Sequence, residues 1–145
     1  MIILDTDVLS DLLKPAPNPN VVAWIKAQES AEIATTAITI GEIRYGLEIM
    51  PKGRRRNEAM AAFETLIDRS HLRNAIYAYE ATAAYRYAEL AADLKRTGRL
   101  PDSVQDMQIA AIAYDRKAAV ATGNVRHFRY SGIKVIDPFN RSIRR

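Results

Sequence analysis

Met1-Ile2-Ile3-Leu4-Asp5-Thr6-Asp7-Val8-Leu9-Ser10-Asp11-Leu12-Leu13 changes its period at an acidic residue, and that change sets the fold class. The first four residues form an unbroken apolar run, the pattern of a strand covered on both faces. From Asp7 the apolar residues fall at helical spacing until Pro15, and Asp7 is the better placed N-cap of that helix. A doubly covered strand feeding directly into a helix is the opening of an α/β protein.

The same alternation continues along the chain. Pro15 to Asn20 reads as a turn, and Val21, Val22, Trp24 and Ile25 give a second helix its apolar face. Glu32 to Thr36 reads as a strand. Thr39 is an N-cap for a helix through Ile43 and Leu47 that Pro51 and Gly53 end. Met60, Phe63 and Ile67 mark a helix over about 55–69, and Ala75-Ile76-Tyr77 a short strand. An Ala- and Tyr-rich helix follows over 79–97, closed by Gly98. The segment from Ser103 to Arg116 is apolar on most sides and predicts a deeply packed helix. Ala118 to Thr122 and Ile133 to Ile136 complete the strands. The expected architecture is a three-layer α/β/α domain over 1–139 with a mainly parallel sheet of four or five strands, followed by a basic tail over 140–145.

Composition narrows the functional classes. The chain has 145 residues, 48% of them hydrophobic, which suffices for one well-filled core. It has no cysteine and two histidines, so a thiolate or His-rich metal centre is excluded and oxygen ligands remain. No apolar run reaches membrane-spanning length and the start lacks the pattern of a signal peptide, so the expected location is cytoplasmic with no membrane partner. The net charge of +4 is concentrated at 52–56, 95–99, 126–129 and 141–145, patches that attract polyanions.

Three carboxylates stand out within this frame. Asp5 closes the first strand, Glu42 lies near the start of the helix after the second, and Asp106 opens the apolar helix. Each has a local explanation. Thr39-x-x-Glu42 and Ser103-x-x-Asp106 both fit a capping box, and Asp5 can bond the N-terminus of the next helix. In a parallel sheet, however, strand carboxyl ends and the N-termini of the returning helices share one edge, and all three acids belong to it. Acids gathered there repel one another unless a cation holds them, and Mg²⁺, with Mn²⁺ as an alternative, is the matching hard ion.

The stretches Leu4-Asp5-Thr6-Asp7-Val8-Leu9, Ile38 to Gly46, Asp106 to Ala113 and Ala121 to Phe128 together resemble the PIN-domain ribonucleases, in particular the toxins of VapBC-type toxin–antitoxin pairs. The resemblance covers nearly the whole chain. It implies a metal-dependent endoribonuclease with Asp5, Glu42 and Asp106 as the catalytic acids and Asp5 and Asp106 as direct metal ligands. Thr6 would orient Asp5 or a water. Asn124 stands where a fourth acid is common, and its amide would touch a metal water or a phosphate; His127 stands where another acid is common and reads as a surface residue, as does His71. The family further implies RNA as substrate, tRNA foremost. It also implies a homodimer, a larger assembly with an antitoxin that blocks the acidic edge, and promoter DNA bound only through that antitoxin.

Two other functions fit parts of the chain. Ile3 to Leu9 also resembles the opening motif of haloacid-dehalogenase phosphatases, which would make Asp5 a nucleophile and Asp7 its acid–base partner. The later acidic pair of that family is missing. A non-catalytic module that binds RNA or protein is the third reading, suggested by Asn124 and the basic clusters. Tyr77, Tyr79, Tyr85 and Tyr87 either stack on bases or belong to core and interface.

Overall fold

The computed structural model describes residues 1–140. Of the expected basic tail, 141–145 therefore lie outside the described residues. Five strands, all parallel, form one sheet in the order β3-β2-β1-β4-β5: β1 Ile2–Leu4, β2 Ile33–Thr36, β3 Ile76–Tyr77, β4 Ala119–Ala121 and β5 Val135–Ile136. The central strand pairs Ile3 with Ala34 on one side and with Val120 on the other. Ile3 and Leu4 are both buried because helices cover both faces of the sheet.

The two-residue period of the strands sorts side chains between two apolar layers. Ile3, Ala34 and Val120 face one layer, filled by Met107, Ile109, Ile112, Leu90 and Phe128. Leu4, Ile33 and Ala121 face the other, filled by Val8, Leu9, Val21, Ile43, Phe63 and Ile67. The first layer belongs to α5 Ala81–Arg96, α6 Val104–Asp115 and the short α7 Val125–Phe128; the second rests chiefly on α1 Thr6–Leu12, α2 Pro19–Lys26, α3 Ala37–Glu48 and α4 Arg54–Arg69. Seven residues of α6 are buried, as its all-round apolar sequence predicts. Tyr77, Tyr79 and Tyr87 pack against the first layer, whereas Tyr85 is exposed. Among the described residues no helix is long and apolar enough to cross a membrane.

Two helix starts differ from expectation, each for a reason that bears on the acids. Asp5, not Asp7, caps α1: the strand ends at Leu4, Asp5 is extended, and its Oδ1 accepts the Thr6 N–H at 2.7 Å. Thr36, not Thr39, caps α3: the strand runs straight into the helix, and Thr36 Oγ1 accepts from Thr39 N at 3.2 Å. Glu42 thereby falls in the second turn, too far along to serve a capping box. For α6, Ser103 is the cap as expected and accepts from Asp106 N at 3.1 Å.

Candidate active site at the carboxyl edge of the sheet

The strand order reverses direction between β1 and β4, the place where open parallel sheets bind ligands beyond their carboxyl ends. Asp5 follows β1 there, and Thr122-Gly123-Asn124 follows β4. Asp5 is 1% exposed, and its Oδ2 accepts the Thr122 hydroxyl at 2.7 Å. Burial pushes its carboxyl up to about 7; the Thr122 and Thr6 bonds work against this, and the charges of Asp106 and Asp7 add to it. Asp5 and Asp106 are thus near neighbours although 101 positions apart in sequence, and Glu42 also feels the Asp106 charge.

Each expected residue has a definite place. Glu42 is half-buried on α3, raised above its ordinary range by burial, and its Oε1 accepts the Thr6 hydroxyl at 2.9 Å. The Thr6 side chain therefore orients Glu42, while only its backbone N–H serves Asp5. Asn124 is exposed and its N–H donates to Thr122 Oγ1 at 2.9 Å. Thr122 thus links Asp5 to the start of α7. His127 is not a surface residue: it is half-buried, with Nδ1 2.5 Å from Asp106 Oδ2. One turn of helix after Asn124 carries it across to α6. His71 is exposed, in a left-handed conformation, and takes no part.

Asp7 is a fourth acid at this edge that sequence reasoning assigned to a cap. Its Oδ2 accepts the Gly123 N–H at 2.7 Å and its Oδ1 lies 3.4 Å from Thr122 Oγ1. Burial raises its pKa, and the Asp106 charge adds to the rise. Gly123 is required by this approach, since a Cβ there would lie 2.8 Å from Asp7 Oδ2 and 2.9 Å from the Phe139 ring. Gly123→Ala is therefore expected to cost about 1–3 kcal/mol through overpacking. A urea titration reads it directly, and an unchanged midpoint would contradict the packing.

The Asp7 contacts also bear on the phosphatase reading. A carboxylate tied to a backbone N–H is poorly placed to swing as an acid–base group, and Asp7→Ala would disturb the loop after β4 whatever the chemistry. Asp7→Asn, which keeps an oxygen for Gly123, separates the two readings: severe loss of turnover favours the phosphatase and near-normal RNA cleavage the ribonuclease.

Among the described residues, no three His, Asp or Glu side chains already enclose a point that would hold an ion. Asp106 is engaged with His127, and Glu42 with Thr6. In chemistry the donors nevertheless fit a hard divalent cation: they are all oxygen, and burial raises Asp5, Asp7 and Glu42 for want of an opposing charge.

The chain is similar over nearly its whole length to proteins of known kind. The PIN domain profile matches residues 2–133. The VapC ribonuclease Y4jK of Sinorhizobium fredii is 35% identical over 139 residues, covering 96% of this chain and 98% of that protein. The crystal structure of FitAcB from Neisseria gonorrhoeae superposes with a TM-score of 0.88 at 30% identity, covering 97% of this chain and 99% of that one. DNA-bound VapBC from Salmonella typhimurium gives 0.79 at 28%, covering 94% and 97%.

Proposed function

The chain belongs to the PIN-domain family, on the branch of the VapC and FitB toxins, and on that footing we propose that it is a metal-dependent endoribonuclease, the toxin of a type II toxin–antitoxin pair, acting on RNA and foremost on tRNA. The observation that carries this reading is the gathering of Asp5, Glu42 and Asp106 from three separate segments at the switch point of the sheet, with Asp5 buried and raised to about 7.

Asp5 and Asp106 are the residues that would hold Mg²⁺ or Mn²⁺, with Glu42 beside them. When bound, such an ion makes a water more acidic and offsets the negative charge growing on the phosphate. The chain's own residues supply placement. Thr122 and the Thr6 N–H fix the two oxygens of Asp5. Thr6 fixes Glu42, which is set to orient the attacking water and take its proton. His127 holds Asp106. The water oxygen bonds to phosphorus as the bond to the departing ribose oxygen breaks.

The likeness to FitAcB and to DNA-bound VapBC supports an antitoxin partner; on our reading that partner blocks the acidic edge and carries any contact with promoter DNA. A homodimer is part of the same proposal; Tyr45 on α3, Ile49 at its C-cap and Tyr85 on α5, 68%, 65% and 75% exposed, are apolar surface that a second copy would cover.

The direct test is incubation of the purified protein with tRNA and with a phosphomonoester, with Mg²⁺ or with chelator. Cleavage of RNA alone, lost in chelator, is the expected result. Hydrolysis of the monoester without RNA cleavage would favour the phosphatase, and neither activity the non-catalytic module.

Burial of Asp5 sets a second expectation, read as stability. Its folded value of about 7 exceeds the ordinary 3.8, so the folded protein keeps a proton that the unfolded chain releases between those two values. In chelator, Asp5 therefore makes stability fall as pH rises from about 4 to about 7. A divalent cation binds the ionised form and reverses the trend, raising the thermal midpoint more at pH 8 than at pH 5. Equal cation-induced gains in wild type and Asp5→Asn would contradict the assignment of Asp5 as ligand.

A further inference from the structure

The basic clusters are not equivalent once their partners are known. In the 52–56 cluster, Arg54 pairs with Glu58 at 2.7 Å and Arg56 with Glu48 at 2.6 Å, so much of its charge is met within the protein. Arg96 likewise pairs with Asp93 at 2.8 Å. Arg99 and Arg129 are exposed, and among the described residues no carboxylate lies within 4 Å of either.

Both line one groove of about 500 Å³ between α5, from Arg86 onward, and the segment 129–132. Arg86 lines the same groove. Among the described residues its acidic neighbour is Glu89 at 3.8 Å, and its Nε is buried without an acceptor. The cations are held by aromatic rings: Arg86 lies 3.8 Å from the centre of the Tyr114 ring and Arg99 4.4 Å from that of Tyr130. Asp93, the one acid in the lining, is the residue already paired with Arg96. Arg99 and Arg129 are therefore the cations of this groove that, among the described residues, have no carboxylate partner, while Arg86 keeps Glu89 and Asp93 is shared with Arg96.

Resting on the ribonuclease reading, we propose that this groove binds the phosphates of a single-stranded RNA segment and leads it to the acidic edge, with Arg99 and Arg129 on phosphates and Tyr130 against a base. Charge and shape favour RNA over an acidic peptide. Guanidiniums bind phosphate oxygens bidentately, and Tyr130, 47% exposed beside them, offers the stacking face that a nucleic acid uses and a carboxylate does not. Position agrees. Arg129 is two residues beyond His127, which touches Asp106, and Arg99 is on the segment that enters α6 just before Asp106. Arg99 and Arg129 thus lie in the chain on either side of the helix that carries Asp106, and a strand seated in the groove would be led toward that helix's N-terminus.

The test measures binding of a labelled single-stranded RNA to the full chain carrying Asp5→Asn, so that the RNA is not cut, across a salt series. Adding Arg99→Gln and Arg129→Gln is expected to weaken binding about tenfold near 0.1 M salt and to reduce the log–log salt slope by about 1.4, some 0.7 for each phosphate released. Tyr130→Ala should weaken binding with the slope unchanged, a pattern that general loss of structure does not produce. Unchanged affinity and slope in the double variant would overturn the groove while leaving the ribonuclease reading intact. Loss of self-association alone, or of binding to an acidic protein partner alone, would overturn it in the same way. No RNA binding by the Asp5→Asn parent, together with no RNA cleavage by wild type, would overturn both.

Discussion

Asp5→Asn is expected to lower RNA cleavage by roughly 10³-fold, the scale of removing one electrostatic group from a reaction centre. The substitution keeps the shape of the side chain. The amide oxygen still accepts the Thr6 N–H that Asp5 Oδ1 accepts at 2.7 Å, and the amide N–H₂ can donate to Thr122 Oγ1 where the carboxylate accepted from it. The Thr122 hydroxyl is then released toward Asp7 Oδ1, 3.4 Å away. Structure should survive while the negative charge does not. At neutral pH the variant should be at least as stable as wild type in chelator, because a carboxyl that burial raises to about 7 is costly to ionise. Cleavage within tenfold of wild type, in a protein with an unchanged melting profile, would remove Asp5 from the chemistry.

Phe128→Ala is expected to be the most damaging change to stability among residues next to the site. Phe128 is fully buried and heads the largest enclosed side chains among the described residues, packed in the layer with α5 and α6. Truncating a buried Phe costs about 3–5 kcal/mol, from lost transfer energy and the cavity left behind. For a chain of this length that corresponds to a fall in thermal midpoint of roughly 10 °C. A functional cost should accompany it. Phe128 anchors α7, which has only four residues, and its neighbour His127 is the group held against Asp106. Cleavage should therefore drop even at temperatures where the variant remains folded. A midpoint shift below about 2 °C would show that the layer can close over the cavity.

How far the sequence alone reaches is visible in these same residues. Met1 to Leu4 and Ala118 to Thr122 announced buried strands because helices cover both faces of the sheet, which leaves the strand no polar side to show. The apolar helix after Asp106 was legible for the same reason. From these elements the switch-point edge, and with it the neighbourhood of Asp5 and Asp106, followed by topology.

What was not legible depends on contacts between distant segments. The Thr122 bond to Asp5 spans 117 positions and the Gly123 bond to Asp7 spans 116, so no local pattern encodes them. The four residues of α7 are too few to display a period, which left His127 looking like a surface side chain. Helix starts were misplaced at Asp7 and Thr39 because in each case the preceding strand runs into the helix with no intervening turn, and Asp5 or Thr36 serves as both linker and cap. That shift changes the weight of Glu42 most. Freed from a capping role, its carboxylate meets the Thr6 hydroxyl across the edge, an arrangement with no purpose in helix initiation.

Whether the acids of this edge cut RNA is tested by mapping RNA 5′ ends after brief induction of the wild-type chain and of Asp5→Asn in cells. Discrete new ends, confined to one or a few RNAs and absent with the variant, are the predicted result. Identical end profiles for the two proteins, at equal amounts of folded chain, would contradict it.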